Sequence, residues 1–72
     1  MKKTISVSVI IPCYNSKDTI LIAVKSILSQ TLYPLEVFII DDKSENLHEE
    51  KKYLAEAKNL LNQKNINTDI IY

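Results

Sequence analysis

At 72 residues the chain holds at most one small domain, and a domain of that size buries only about 60% of the surface its unfolded form exposes. Nine basic residues balance nine acidic ones, which argues against a nucleic-acid partner, and a hydrophobic share of 46% argues against a disordered chain. Glycine is absent, which removes both the P-loop and the glycine-rich dinucleotide fingerprint, and the single cysteine, Cys13, has no intrachain partner for a disulfide.

The opening Met1-Lys2-Lys3 is followed by serine alternating with branched apolar residues and then by Pro12, with no small-residue cleavage pattern, so it does not read as a signal peptide. Ile5-Ser6-Val7-Ser8-Val9-Ile10-Ile11 reads as a first strand. It begins in strict alternation and finishes continuously apolar, the pattern of a strand entering a sheet covered on both faces. Pro12, lacking an N–H, is expected to stop the ladder.

Asn15 and Ser16 supply cap-type oxygens, and Asp18 suits the positive end of a helix dipole. Ile20, Val24, Ile27 and Leu28 then recur at helical spacing, predicting an amphipathic helix to about Gln30. Pro34 marks the loop that follows. Leu35-Glu36-Val37-Phe38-Ile39-Ile40 reads as a second buried strand, closed by Asp41 and Asp42. Asn46-Leu47-His48-Glu49 has the spacing of a capping box. Behind it Tyr53, Leu54, Ala57, Leu60 and Leu61 form one apolar stripe, with Glu50, Lys51, Lys52, Glu56 and Lys58 expected in solvent. A third strand is expected from near Thr68 through Ile70, Ile71 and Tyr72.

The order is β-α-β-α-β, which implies α/β class with a three-stranded parallel sheet joined by right-handed crossovers. No segment has the length needed to cross a bilayer. One unpaired cysteine suits a reducing compartment, so a cytoplasmic location is expected, with a fuller parent tethered to the cytoplasmic face of a membrane as an option. The apolar third strand has no following helix to cover it. The segment therefore reads as an incomplete domain whose open sheet edges invite self-association.

Ligands of open parallel sheets bind beyond the carboxyl ends of the strands. Two polar clusters fall there: Pro12-Cys13-Tyr14-Asn15 after the first strand and Asp41-Asp42-Lys43-Ser44 after the second. An aromatic ring can stack on a nucleobase, worth about 1–3 kcal/mol in known base–aromatic contacts. A carboxylate only accepts hydrogen bonds, so it selects a base edge presenting N–H, which uracil has at N3 and cytosine lacks. Each feature also has a plainer reading. Tyr14 alone is an amphipathic cap on the sheet edge, and an acidic pair is ordinary turn chemistry. Cys13 lacks a histidine partner for nucleophilic work, and His48 reads as a solvated residue of a helix start.

Three blocks resemble a known family: Val7-Ser8-Val9-Ile10-Ile11-Pro12-Cys13-Tyr14-Asn15-Ser16, then Ala23 with Ser26-Ile27-Leu28-Ser29-Gln30-Thr31, then Glu36-Val37-Phe38-Ile39-Ile40-Asp41-Asp42-Lys43-Ser44. They look like the opening of family 2 glycosyltransferases, with their V-S-V-I-I-P-x-Y-N, S-x-L-x-Q-T and E-x-x-x-x-D-D-G-S patterns. The resemblance implies the nucleotide-sugar-binding half of a Rossmann-like GT-A fold, over residues 1–72, as an incomplete N-terminal portion. It implies that Tyr14 stacks on the donor base and Asp42 takes the base N–H. Pro12 and Asn15 would shape the same loop, and Asp41 would hold the acidic turn. A UDP-sugar, or less often a dTDP- or GDP-sugar, is the implied donor and a saccharide or lipid-linked hydroxyl the implied acceptor. The Mn2+ or Mg2+ ion and the catalytic base would sit on later motifs, leaving this segment inactive alone. The family's usual glycine after the acidic pair is Lys43 here, a poor occupant for a position of positive φ.

Two other classes compete. A phosphoacceptor receiver module also carries an acidic pair after a strand, but after its first strand, with a phosphorylated aspartate after a later one. A non-catalytic oligomerising fragment is the third reading.

Overall fold

The elements run β1 (Lys3–Cys13), α1 (Ile20–Leu28), β2 (Leu32–Asp41), α2 (Leu47–Asn62) and β3 (Asn67–Ile71), in a computed structural model that describes residues 3–15, 19–42, 45 and 47–72. All strand pairs are parallel and the sheet order is β1-β2-β3. This is the expected β-α-β-α-β architecture, compatible with part of a Rossmann-like fold.

Strand alternation sorts the side chains. Val9 pairs with Val37 and Val37 with Thr68, while Ile11 pairs with Ile39 and Ile39 with Ile70. These inward positions meet Ile20 and Val24 of α1 and Leu54, Ala57 and Leu61 of α2 in one buried cluster. Each fully buried Val, Leu or Ile there contributes roughly 1.5–3 kcal/mol relative to exposure.

Both helices lie on the same face, because each right-handed crossover adds its strand on the same side of the last. The opposite face carries rows such as Pro12–Ile40–Ile71 and Ile10–Phe38–Asp69. Ile10 is 62% exposed and Ile71 49%. The apolar finish of β1 was expected to signal cover on both faces; among the described residues only one face is covered.

Both prolines sit inside strands rather than at their limits. Pro12 pairs with Ile40, and β1 continues to Cys13. The strand survives because β1 is a sheet edge: in parallel pairing Cys13 turns its polar groups toward β2, so Pro12 turns its missing donor outward. Pro34 belongs to β2, is buried, and pairs with Ile5. The register shifts between Ile5 and Ser8, so a bulge accommodates the proline. β2 accordingly begins three residues before the expected Leu35, at Leu32. The early residue Tyr33 is buried, and its hydroxyl donates to the Leu28 carbonyl at 3.2 Å, satisfying an orphan acceptor at the end of α1.

The α2 stripe is as read, with one addition. Glu50 was placed in solvent but is 3% exposed. It precedes Leu54, Ala57 and Leu61 by four, seven and eleven positions, which sets it on the helix's buried face. His48 is exposed, as expected.

α2 ends in a Schellman motif without glycine. Asn65 takes φ 63°. Ile66 N–H donates to the Leu61 carbonyl at 3.1 Å and Asn65 N–H to the Asn62 carbonyl at 2.9 Å. Asparagine is the usual substitute where the left-handed region is needed, and buried Ile66 supplies the accompanying apolar contact.

Helix starts differ from expectation. The N-cap of α1 is Thr19, whose side chain makes no capping bond. Ser16 and Asp18, and the Asn46 of the expected capping box, lie outside the described residues. Asn15 is not a helix cap but a left-handed turn residue with φ 49°.

Candidate functional site

β1 and β2 end side by side. Cys13 and Asp41 are Cα partners, and one residue later the Asp42 N–H donates to the Cys13 carbonyl at 2.7 Å. That bond carries the ladder past the formal end of β2. It therefore delivers Tyr14 and Asp42 to the same carboxyl rim of the sheet, where parallel α/β folds bind ligands.

Successive strand residues face opposite ways, and the acidic pair obeys this. Asp41 is 6% exposed and turned under, whereas Asp42 is exposed. Asp41 is engaged within the fold. Only Asp42 of the pair is open to an incoming molecule. Cys13, expected on a loop, is the last residue of β1 and 2% exposed, its thiol inside the core.

From β1 the chain leaves through exposed Pro12 and enters a turn made by Tyr14 and Asn15. Tyr14 is 57% exposed, an unusual placement for a large ring. Asn15 holds a left-handed backbone that costs most residues about 1–2 kcal/mol and asparagine less. Its side-chain Oδ1 accepts the Glu45 N–H at 2.9 Å. The Tyr14 hydroxyl in turn donates to Glu45 Oε1 at 3.3 Å. The turn after β1 is thus stitched to the segment that leads into α2.

Of the five residues named from sequence, Tyr14, Asn15 and Asp42 gather at the rim. Pro12 lies one strand step back, and Asp41 lies beneath. Lys43, where the resemblance places glycine, is outside the described residues, as is Ser44. Glu45 was not singled out. The signal available was a third acid three positions after Asp42, but its contacts lie 30 and 31 positions back along the chain and emerge only from the strand register.

Among the described residues no group of three or more His, Cys, Asp or Glu side chains comes together as a metal site. None of their helices is long and apolar enough to cross a membrane. An open, mostly apolar cleft of about 400 Å³ lies near the bulge, lined by residues including Ile5, Val9, Ile27 and Pro34. Ile5 and Pro34 place it toward the amino ends of β1 and β2, away from the rim.

The family model described as glycosyl transferase family 2 matches residues 8–68. An Escherichia coli protein named UDP-Glc:alpha-D-GlcNAc-diphosphoundecaprenol beta-1,3-glucosyltransferase WfaP is 55% identical over 38 residues, 53% of this chain and 15% of the relative. A second, named uncharacterized glycosyltransferase YibD, from Escherichia coli strain K12, is 44% identical over 57 residues, 78% of this chain and 17% of the relative. The chain thus spans less than a fifth of the curated relatives it matches. No solved structure matches it significantly.

Proposed function

This chain belongs to glycosyl transferase family 2, and on that premise we propose that it is the donor-nucleotide-binding, N-terminal portion of an enzyme that moves a sugar from a UDP-sugar to a hydroxyl acceptor. The observation that carries the reading is the rim itself. Tyr14 and Asp42 leave neighbouring strands one residue past a Cα pair, both exposed, with the Asp42 amide tied to Cys13. An exposed ring offers a stacking face, and an exposed carboxylate offers an acceptor for a base N–H.

UDP is favoured over other carriers on two grounds. A carboxylate suits the N3–H of uracil, and the name of one relative specifies UDP-Glc as donor. A saccharide or lipid-linked acceptor draws on the same name, which specifies a diphosphoundecaprenol-linked sugar. The described residues do not assemble a metal site. In this proposal an Mn2+ or Mg2+ ion is held by ligands elsewhere in the enzyme, together with the base that deprotonates the acceptor. The 72 residues alone then bind donor without transferring sugar. A cytoplasmic location is part of the same reading, supported by a sequence that carries a single cysteine.

Calorimetric titration of the chain with UDP and CDP in parallel is the test. Tighter binding of UDP is expected; equal affinity for the two would remove the base-reading role of the acidic rim.

A further inference from the structure

Glu45 touches both consecutive residues of the loop after β1. Its backbone N–H donates to Asn15 Oδ1 at 2.9 Å, and its carboxylate accepts from the Tyr14 hydroxyl at 3.3 Å. The two bonds close a ring through Tyr14, Asn15 and Glu45 and tie the two loops together. One of them is to the phenol of a ring that is more than half exposed. Such a ring has little packing around it to select a rotamer, and on stacking against a ligand it must give up side-chain freedom. A hydrogen bond at the hydroxyl lies in the ring plane, so it restrains direction while leaving the faces of the ring clear.

We propose that Glu45 is a positioning residue for the donor base: its carboxylate holds the Tyr14 ring in the stacking orientation, and its amide locks the Asn15 turn that presents the ring. This inference rests on the reading of Tyr14 as the base-stacking residue. It also divides the work at the rim. The phenol is spent on Glu45, so the ring contributes a face only, and the choice of base falls to Asp42.

The test is UDP titration of the full 72-residue chain as wild type, Tyr14→Phe, Glu45→Ala, Glu45→Gln, the Tyr14→Phe/Glu45→Ala double variant and Tyr14→Ala. Circular dichroism melting is run on each. Loss of one side-chain hydrogen bond predicts roughly threefold to tenfold weaker UDP binding for Tyr14→Phe and for Glu45→Ala. Because both substitutions remove the same bond, the double variant is expected to bind no worse than either single one. Glu45→Gln keeps an acceptor oxygen and is expected to stay within about twofold of wild type. Should Glu45→Ala melt out, Tyr14→Phe with Glu45→Gln reports on the same bond. Wild-type affinity in Glu45→Ala, or additive losses in the double variant, overturns the positioning role. If Tyr14→Ala nevertheless abolishes binding, the stacking reading stands without it. A wild-type chain that does not bind UDP overturns both.

Discussion

The Asp42 amide donates to the Cys13 carbonyl at 2.7 Å, one residue beyond the last Cα pair of β1 and β2. This bond makes the two loops neighbours by backbone geometry, before any side chain is considered. It also frees the Asp42 carboxylate, because the residue is anchored through its amide.

Asp42→Ala keeps that amide and removes only the acceptor. The expected outcome is a fall in UDP affinity of about tenfold or more, since hydrogen bonds to charged groups are worth about 1.5–3 kcal/mol. Melting behaviour should be close to wild type because the side chain is exposed. Unchanged affinity, measured by calorimetry, would refute the assignment.

Two asparagines hold left-handed backbone, Asn15 at φ 49° and Asn65 at φ 63°. Replacing either by Ala should cost about 1–2 kcal/mol through the steric penalty of that region, and replacement by Gly should cost less. For Asn15 the Gly variant still loses the acceptor for Glu45, so it should recover less than Asn65→Gly does. Urea midpoints of the four variants decide this. Equal costs for Ala and Gly at Asn65 would count against the Schellman geometry.

Leu54→Ala empties a fully buried position on α2 and should cost about 2–5 kcal/mol. For a short chain that is a large fraction of a total stability near 0.05–0.15 kcal/mol per residue. Ile22 is 66% exposed on α1, and Ile22→Ala is expected to stay within about 0.5 kcal/mol of wild type. A small effect of Leu54→Ala in thermal unfolding would contradict the core described above.

Self-association is the fourth expectation. β3 is a sheet edge, and it carries exposed Ile71 with Tyr72 just beyond it. Light scattering should show a mass that rises with concentration, and Ile71→Lys should suppress the rise. A monodisperse monomer at high concentration would refute edge-driven association.

The fold was readable because periodicity survives without context. Ile20 and Val24 fell at helical spacing, Val37 and Ile39 in a short branched run, and all four are buried. What escaped was set by pairing. Nothing local to Pro34 says that a bulge opposite Ile5 will admit it to a strand, and nothing local to Pro12 says that β1 is an edge. Glu50 looked solvated by its charge, although its offset from Leu54 already put it on the buried face. Tyr14, Asn15 and Asp42 were legible as residues flanking strand ends. Glu45 was not, because its bonds join parts of the chain that meet only after the sheet has formed.

Pro12 has an effect beyond its own loop. A foreign strand docking along the outer side of β1 would meet, next to the rim, a pyrrolidine where it needs a donor, while the bulge near Val7 disturbs the spacing further down. Growth of the sheet on that side is thereby discouraged at both levels, and the flank of the rim that carries Tyr14 and Asp42 stays clear of added strands.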